Sequence, residues 1–184
     1  MKRLWLAALL GASALTCSGC LVVSLEPLYD GTTIEVDERL LGTWENTEQQ
    51  VTIVVEHGEW RAYKLTYTDR SGAMSLLGYG TRIGDAWFLD VTPAKGLDSG
   101  PLMIPAHLAC RVQLGGDRFT VEALDYDWFI RPGEGRSPRP AHTFDSRKNV
   151  VLTATRAALR AWVLALPGPA EAFSEPMTFV RRKG

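Results

Sequence analysis

Residues 51–68 read VTIVVEHGEWRAYKLTYT, and this stretch decides the fold class. Val51–Glu56 and Trp60–Thr68 are rich in β-branched and aromatic residues, and only His57-Gly58-Glu59 separates them. Two such runs around a three-residue loop containing Gly form a β-hairpin. Toward the C-terminus the pattern repeats. Asp69-Arg70-Ser71-Gly72 turns the chain into Met74–Arg82, and Ile83-Gly84-Asp85 turns it into Ala86–Val91. After a loop with Pro93, Gly96, Gly100 and Pro101, His107–Leu114 and Arg118–Leu124 flank Gly115-Gly116-Asp117. Toward the N-terminus, Thr43–Asn46 adds a short strand behind a helical turn over 37–42. Short strands joined by regularly spaced turns predict an antiparallel meander, either sandwich or barrel.

Side-chain parity predicts which face is buried. Trp87, Leu89 and Val91 alternate with Phe88 and Asp90; Leu108, Cys110 and Val112 oppose His107, Arg111 and Gln113; Phe119, Val121 and Ala123 oppose Arg118, Thr120 and Glu122. Such alternation implies a sheet with one face in the core and the other in water. The last third differs. Trp128–Arg131 reads as a helical turn, 132–149 as an exposed loop rich in Pro, Gly and charge, and Val150–Leu152 as a strand. A helix capped by Thr153 or Thr155 runs to about Leu166, with Leu159, Trp162, Val163 and Leu166 on one face, before Pro167-Gly168-Pro169 stops it. Met177–Arg182 reads as a closing strand.

The chain has 184 residues, 46% hydrophobic and 22% charged, with a net charge of −1 and pI ≈ 6.3. That charge balance excludes the broad basic field of a nonspecific nucleic-acid binder. Residues 4–25 carry no charge and are the only long apolar stretch. Lys2 and Arg3 precede it and Ser18-Gly19 stand before Cys20, the outline of a secretory signal. A cysteine directly after the cleavage point resembles the signal of bacterial lipoproteins. That resemblance implies cleavage before Cys20 and acylation of it by diacylglycerol and an amide-linked chain such as palmitate. Cys17 is the competing position, and an uncleaved membrane anchor the competing reading. Either one exports the domain. Loss of residues 1–19 leaves 18 basic against 21 acidic residues, a net charge of −3, and one further thiol, Cys110, which has no intramolecular partner.

The expected organisation is therefore a signal over 1–19, a lipidated cysteine and tether over 20–35, and a barrel domain over 36–184. Gly42-Thr43-Trp44 opens the first strand, and one helix precedes the last. This order resembles the lipocalins, whose Gly-x-Trp motif opens an eight-stranded up-and-down barrel. The resemblance implies that Trp44 closes one end of the barrel and that Arg181 or Arg182 lies across its ring. No Thr-Asp-Tyr occurs near Gly115-Gly116, where a typical lipocalin carries one. A second resemblance runs through Leu41-Gly42-Thr43-Trp44, Tyr63-Lys64-Leu65-Thr66-Tyr67, Phe88-Leu89-Asp90, Pro105-Ala106-His107, Asp127-Trp128 and Leu152-Thr153-Ala154. These residues look like a group of uncharacterised bacterial lipoproteins, which implies no activity and no catalytic residues.

Chemistry-bearing motifs are sparse. His107 and Cys110 lie three residues apart on a strand, hence on opposite faces, which suits a satisfied histidine and a core cysteine. An enzyme would need His107 to meet an acid from another strand. Asp125 and Asp127 read as turn and cap residues, and no metal-ligand spacing, phosphate loop or nucleophile elbow occurs. In a barrel, Trp60, Tyr63, Tyr67, Tyr79 and Trp87 are candidates to line a ligand cavity; otherwise they fill the core. The expectation is a non-enzymatic lipoprotein of the cell envelope, in the outer membrane of a Gram-negative cell. It needs no cofactor or metal, and a small apolar molecule is its candidate ligand. The alternative is a filled barrel that serves as a structural or interaction module for an envelope protein partner.

Overall fold

The computed structural model describes residues 20–94, 104–131, 138–166 and 169–183. The proposed signal over 1–19, and residues 132–137 of the predicted loop, lie outside the described residues.

Eight antiparallel strands close into a barrel. They are β3 (Gly42–Asn46), β4 (Val51–His57), β5 (Tyr63–Asp69), β6 (Gly72–Ile83), β7 (Ala86–Pro93), β8 (Leu108–Gly115), β9 (Arg118–Ala123) and β12 (Met177–Arg181). Each of the first seven pairs with the next in sequence, and β12 pairs with both β9 and β3 to shut the ring. The meander expected from 42–124 is therefore an up-and-down barrel, with the closing strand at the C-terminus. One pleat face of every strand points inward. Leu40, Trp44, Val51, Val55, Tyr63, Leu65, Trp87, Leu89, Cys110, Val112, Phe119 and Phe179 form the inner core.

Between β9 and β12 the chain leaves the barrel and builds a satellite on its outer wall. Here lie α1 (Tyr126–Ile130), β10 (His142–Phe144), β11 (Val150–Leu152), α2 (Arg156–Leu164) and α3 (Pro169–Ala172). Asp125 caps α1 by accepting from the Trp128 N–H at 2.6 Å, and Thr155 caps α2 by accepting from the Ala158 N–H at 3.4 Å. The apolar face of α2 buries Leu159 and Trp162 against Val22, Leu28, Phe88, Leu124, Phe129 and Phe173.

Residues 21–35 are not a tether. Val22–Ser24 form β1, which pairs in parallel with β11, and Ile34–Glu35 form β2, which pairs with β6. Val22, Leu28 and Ile34 are buried, so the folded unit begins at residue 21 instead of 36. Their apolar periodicity is too short to read as strands without the partners that cover them. The outer wall is also not uniformly wet. Phe88, Asp90, His107, Arg111 and Glu122 point out of the barrel yet are buried, because the satellite lies over β7, β8 and β9.

Candidate functional site

The two ends of the barrel differ in how their inward faces are filled. One end is plugged. A 3₁₀ turn (Glu38–Leu40), capped by Asp37, crosses it, and Leu40 is 1% exposed. Trp44 is fully buried beneath that turn and donates its indole N–H to the Leu40 carbonyl at 2.7 Å. The Arg181 guanidinium lies over the Trp44 ring at 4.0 Å from its centroid. It donates to the carbonyls of Leu41 and Arg39, each at 2.6 Å. A desolvated cation over an indole contributes about 0.5–2 kcal/mol.

Gly42 makes this approach feasible. Its φ is +127°, and a Cβ there would stand 2.5 Å from an Arg181 nitrogen. The Gly42, Trp44 and Arg181 constellation expected from the sequence is thus one packed unit. Tyr63 completes the plug. Its hydroxyl accepts from the Asp37 N–H at 2.5 Å and donates to the Asp37 carbonyl at 3.2 Å, and burial pushes its pKa up to about 12.

At the other end lie the β3–β4 and β5–β6 turns and the starts of β8 and β12. Six inward side chains here are apolar but only half-buried, Ile53, Tyr67, Leu76, Val91, Leu108 and Met177, while Val51 and Asn46 at the β3–β4 turn are buried. Val121 adds to them from β9, and Met74, opposite Tyr67 in the register, is 54% exposed. These strands carry no turn or plug helix inward of the rim among the described residues. Among the described residues, the pleat face that is sealed at one end is apolar and half-buried at the other, where the chain passes from β7 toward β8 through 95–103, outside the described residues.

Of the five aromatics expected to line a cavity, the barrel brings three inside. Tyr63 and Trp87 meet edge to face at 6.5 Å in the core, and Tyr67 sits at the mouth. Trp60 does not join them. It lies in the β4–β5 loop at φ +55° and is 87% exposed, because the second strand begins at Tyr63 and not at residue 60. Tyr79 also points outward, stacking on Tyr29 at 4.2 Å. Its neighbours explain why. Gly78 and Gly80 take the inward positions of β6, where a Cβ would stand 2.9 Å from Leu65 and 2.5 Å from the Trp87 ring. Parity sets Val91, Leu108 and Val121 on the inward face without marking them as rim residues, whereas Ile53, Leu76 and Met177 are not singled out, strand parity at 53, 76 and 177 being the available signal.

His107 does meet an acid from another strand. Its Nδ1 lies 2.8 Å from Asp90 Oδ1, and the other carboxylate oxygen accepts from the Leu28 N–H at 2.7 Å. Asp90 is fully buried. The cavity beside His107 is about 20 Å³ and bounded mainly by apolar side chains such as Phe88, Leu152 and Trp162, room for one water. His107 also exchanges both backbone hydrogen bonds with Ser24. The pair therefore fastens residues 24–28 to the outer wall. Tyr29, close by, has its pKa raised by burial, then by Tyr79 and Asp90. Cys110 faces the opposite way into the inner core, where burial and then Asp90 push its thiol up to about 12. Among the described residues no three His, Cys, Asp or Glu side chains gather as a metal site.

Fold and site together define an all-β, closed eight-stranded antiparallel barrel, plugged at one end, with an apolar rim at the other and a satellite on its wall. No protein family, curated protein or solved structure matches the chain in sequence or fold comparison.

Proposed function

We propose that this protein is a non-enzymatic lipoprotein of the cell envelope that takes up a small apolar molecule through the mouth of its barrel. One observation carries the binding half of this reading. At the plugged end Trp44, Tyr63 and Phe119 are sealed and Leu114 is half-buried, while at the other end Ile53, Tyr67, Leu76, Val91, Leu108 and Met177 are apolar and half-exposed around the buried Val51 and Asn46. Apolar groups left partly in water on a concave wall gain from covering by an apolar ligand, at about 25 cal/mol per Å². The uncharged stretch after Lys2 and Arg3, ending at Cys20, supports the lipoprotein half. Among the described residues no helix is long and apolar enough to cross a membrane.

The test is a titration of the purified protein with an environment-sensitive fluorescent fatty acid, with native mass spectrometry of whatever co-purifies. Saturable binding that Leu76→Arg abolishes, with unchanged thermal unfolding, is the expected result. Absence of saturable binding in both proteins overturns the ligand reading and leaves the filled-barrel interaction module. An intact residue 1 and an unmodified Cys20 by mass overturn the lipoprotein reading.

A further inference from the structure

We infer that the turn end of the satellite sheet is a membrane-docking face that lays the domain in one fixed orientation on an anionic lipid surface. The inference rests on the lipid-anchored reading above. It begins with the distance between the proposed anchor and the fold, which is one residue. The Leu21 N–H donates to Asn149 Oδ1 at 2.8 Å, and the Leu21 carbonyl accepts from the Val150 N–H at 2.8 Å. Cys20 itself is half-buried, its Sγ 3.8 Å from the Arg147 carbonyl. A residue spans at most about 3.6 Å of extended chain, so an acylated Cys20 holds whatever surrounds it at the headgroups.

What surrounds it fits that setting. The turn between β10 and β11 is built by Asp145, whose carboxylate accepts from the N–H groups of Arg147 and Asn149, both at 2.8 Å, and from the Asn149 side chain at 2.8 Å. These bonds hold the Asp145 carboxyl below the usual carboxylate range, with the Asn149 side chain the largest cause. The acid stays ionised and holds the turn, and the exposed Arg147 and Lys148 beside Cys20 outnumber it two to one. Lys148 takes φ +66° to make the turn. Leu21 is 47% and Phe144 53% exposed on either side of Val150, which pairs with Phe144 in the register. Leu21 and Phe144, which the register sets on opposite faces of the sheet at its turn end, together with Arg147 and Lys148 match the acyl boundary and the phosphates of a lipid surface met end-on.

The experiment uses the acylated chain in vesicles of phosphatidylethanolamine and phosphatidylglycerol. A nitroxide is placed at Ser146→Cys, which keeps both cations, and in a second protein at Glu59→Cys in the β4–β5 loop. Collision with a water-soluble nickel complex is expected to be about threefold weaker at 146 than at 59, and to recover in Arg147→Glu/Lys148→Glu. Equal collision rates in an acylated, vesicle-bound protein overturn this inference and leave the anchor standing. Protection that appears only in native membranes also overturns it and assigns the face to an envelope protein. A chain without an acyl group removes both the anchor and the docking face built upon it.

Discussion

The inner core of the barrel and the core of the satellite are of similar extent but opposite construction. The first is made by consecutive hairpins, each strand lying beside its neighbour in sequence, and its interior is almost wholly apolar. The second is collected from distant parts of the chain: Val22 and Leu28 near the start, Phe88 in the middle, Leu159 and Trp162 near the end. Buried polar groups gather at the seam between them. Ser24, Thr81, Asp90, His107, Arg111 and Glu122 are all below a tenth exposed there. Each has a partner. Arg111 donates to Glu122 at 2.6–2.7 Å and lies 4.7 Å over the Phe173 ring. Arg160 of α2 donates to the carbonyls of Leu28 and Arg82 and to the Thr81 hydroxyl. A barrel wall that would otherwise face water keeps its polar residues when a second layer covers it and satisfies most of them, the buried Thr92 hydroxyl of β7 being left without a partner among the described residues.

The comparison can be broken in order of effect. Removing the centre of the plug strikes the inner core: Trp44→Ala should cost about 4 kcal/mol in denaturant unfolding, with loss of a single cooperative transition's midpoint and not its shape. An unchanged midpoint would show that Trp44 does not hold the barrel shut. At the seam, Glu122→Gln leaves the Arg111 charge buried without its counter-ion and should cost about 3 kcal/mol. Hydrogen exchange should then rise in 169–173 more than in β4 and β5; a uniform rise would mean that the two cores are one cooperative unit.

The third break is made with alkali. Cys110 has its ordinary pKa of 9.0 when unfolded and about 12 in the inner core, so its contribution is full below pH 9 and is lost as pH rises toward 12. Linkage then lowers stability by about 2 kcal/mol by about pH 10.5, a slope that Cys110→Ala should flatten. A thiol reagent that modifies native Cys110 rapidly at pH 8 would contradict its burial. Last, Trp60→Ser should shift stability by less than about 0.5 kcal/mol and leave ligand titration unchanged, since Trp60 belongs to neither core. Any loss of fluorescent-ligand binding in that variant would bring the β4–β5 loop into the site.

The inner core was legible from sequence because it obeys local rules. Period-two alternation at 87–91, 108–112 and 119–123 placed the right side chains inward, and the resemblance carried by Gly42-Thr43-Trp44 implied an arginine, Arg181 or Arg182, across the Trp44 ring, the place Arg181 takes. Of the satellite, the turn near 128–131, the strand 150–152 and the helix capped by Thr155 were legible, but their partners were not, because its core is non-local. Nothing in Val22–Ser24 announces a partner at Val150–Leu152, and the strand His142–Phe144 is three exposed residues inside a polar loop. The outer faces of β7 and β8 looked solvent-facing since they are polar, and only the layer above makes them interior. At this end, parity identified the inward Val91, Leu108 and Val121, but no sequence signal told half-buried from sealed.

The closure of the barrel has a consequence for how the protein is made. The strand that completes the ring, Met177–Arg181, pairs with Thr43–Glu45, far earlier in the chain, and with β9 on its other side. Hairpins alone therefore leave the barrel open, however many of them have formed. Until β12 docks, β3 and β9 present bare edges, the kind that recruit other chains. The docking of one five-residue strand thus decides between a closed vessel and an open sheet.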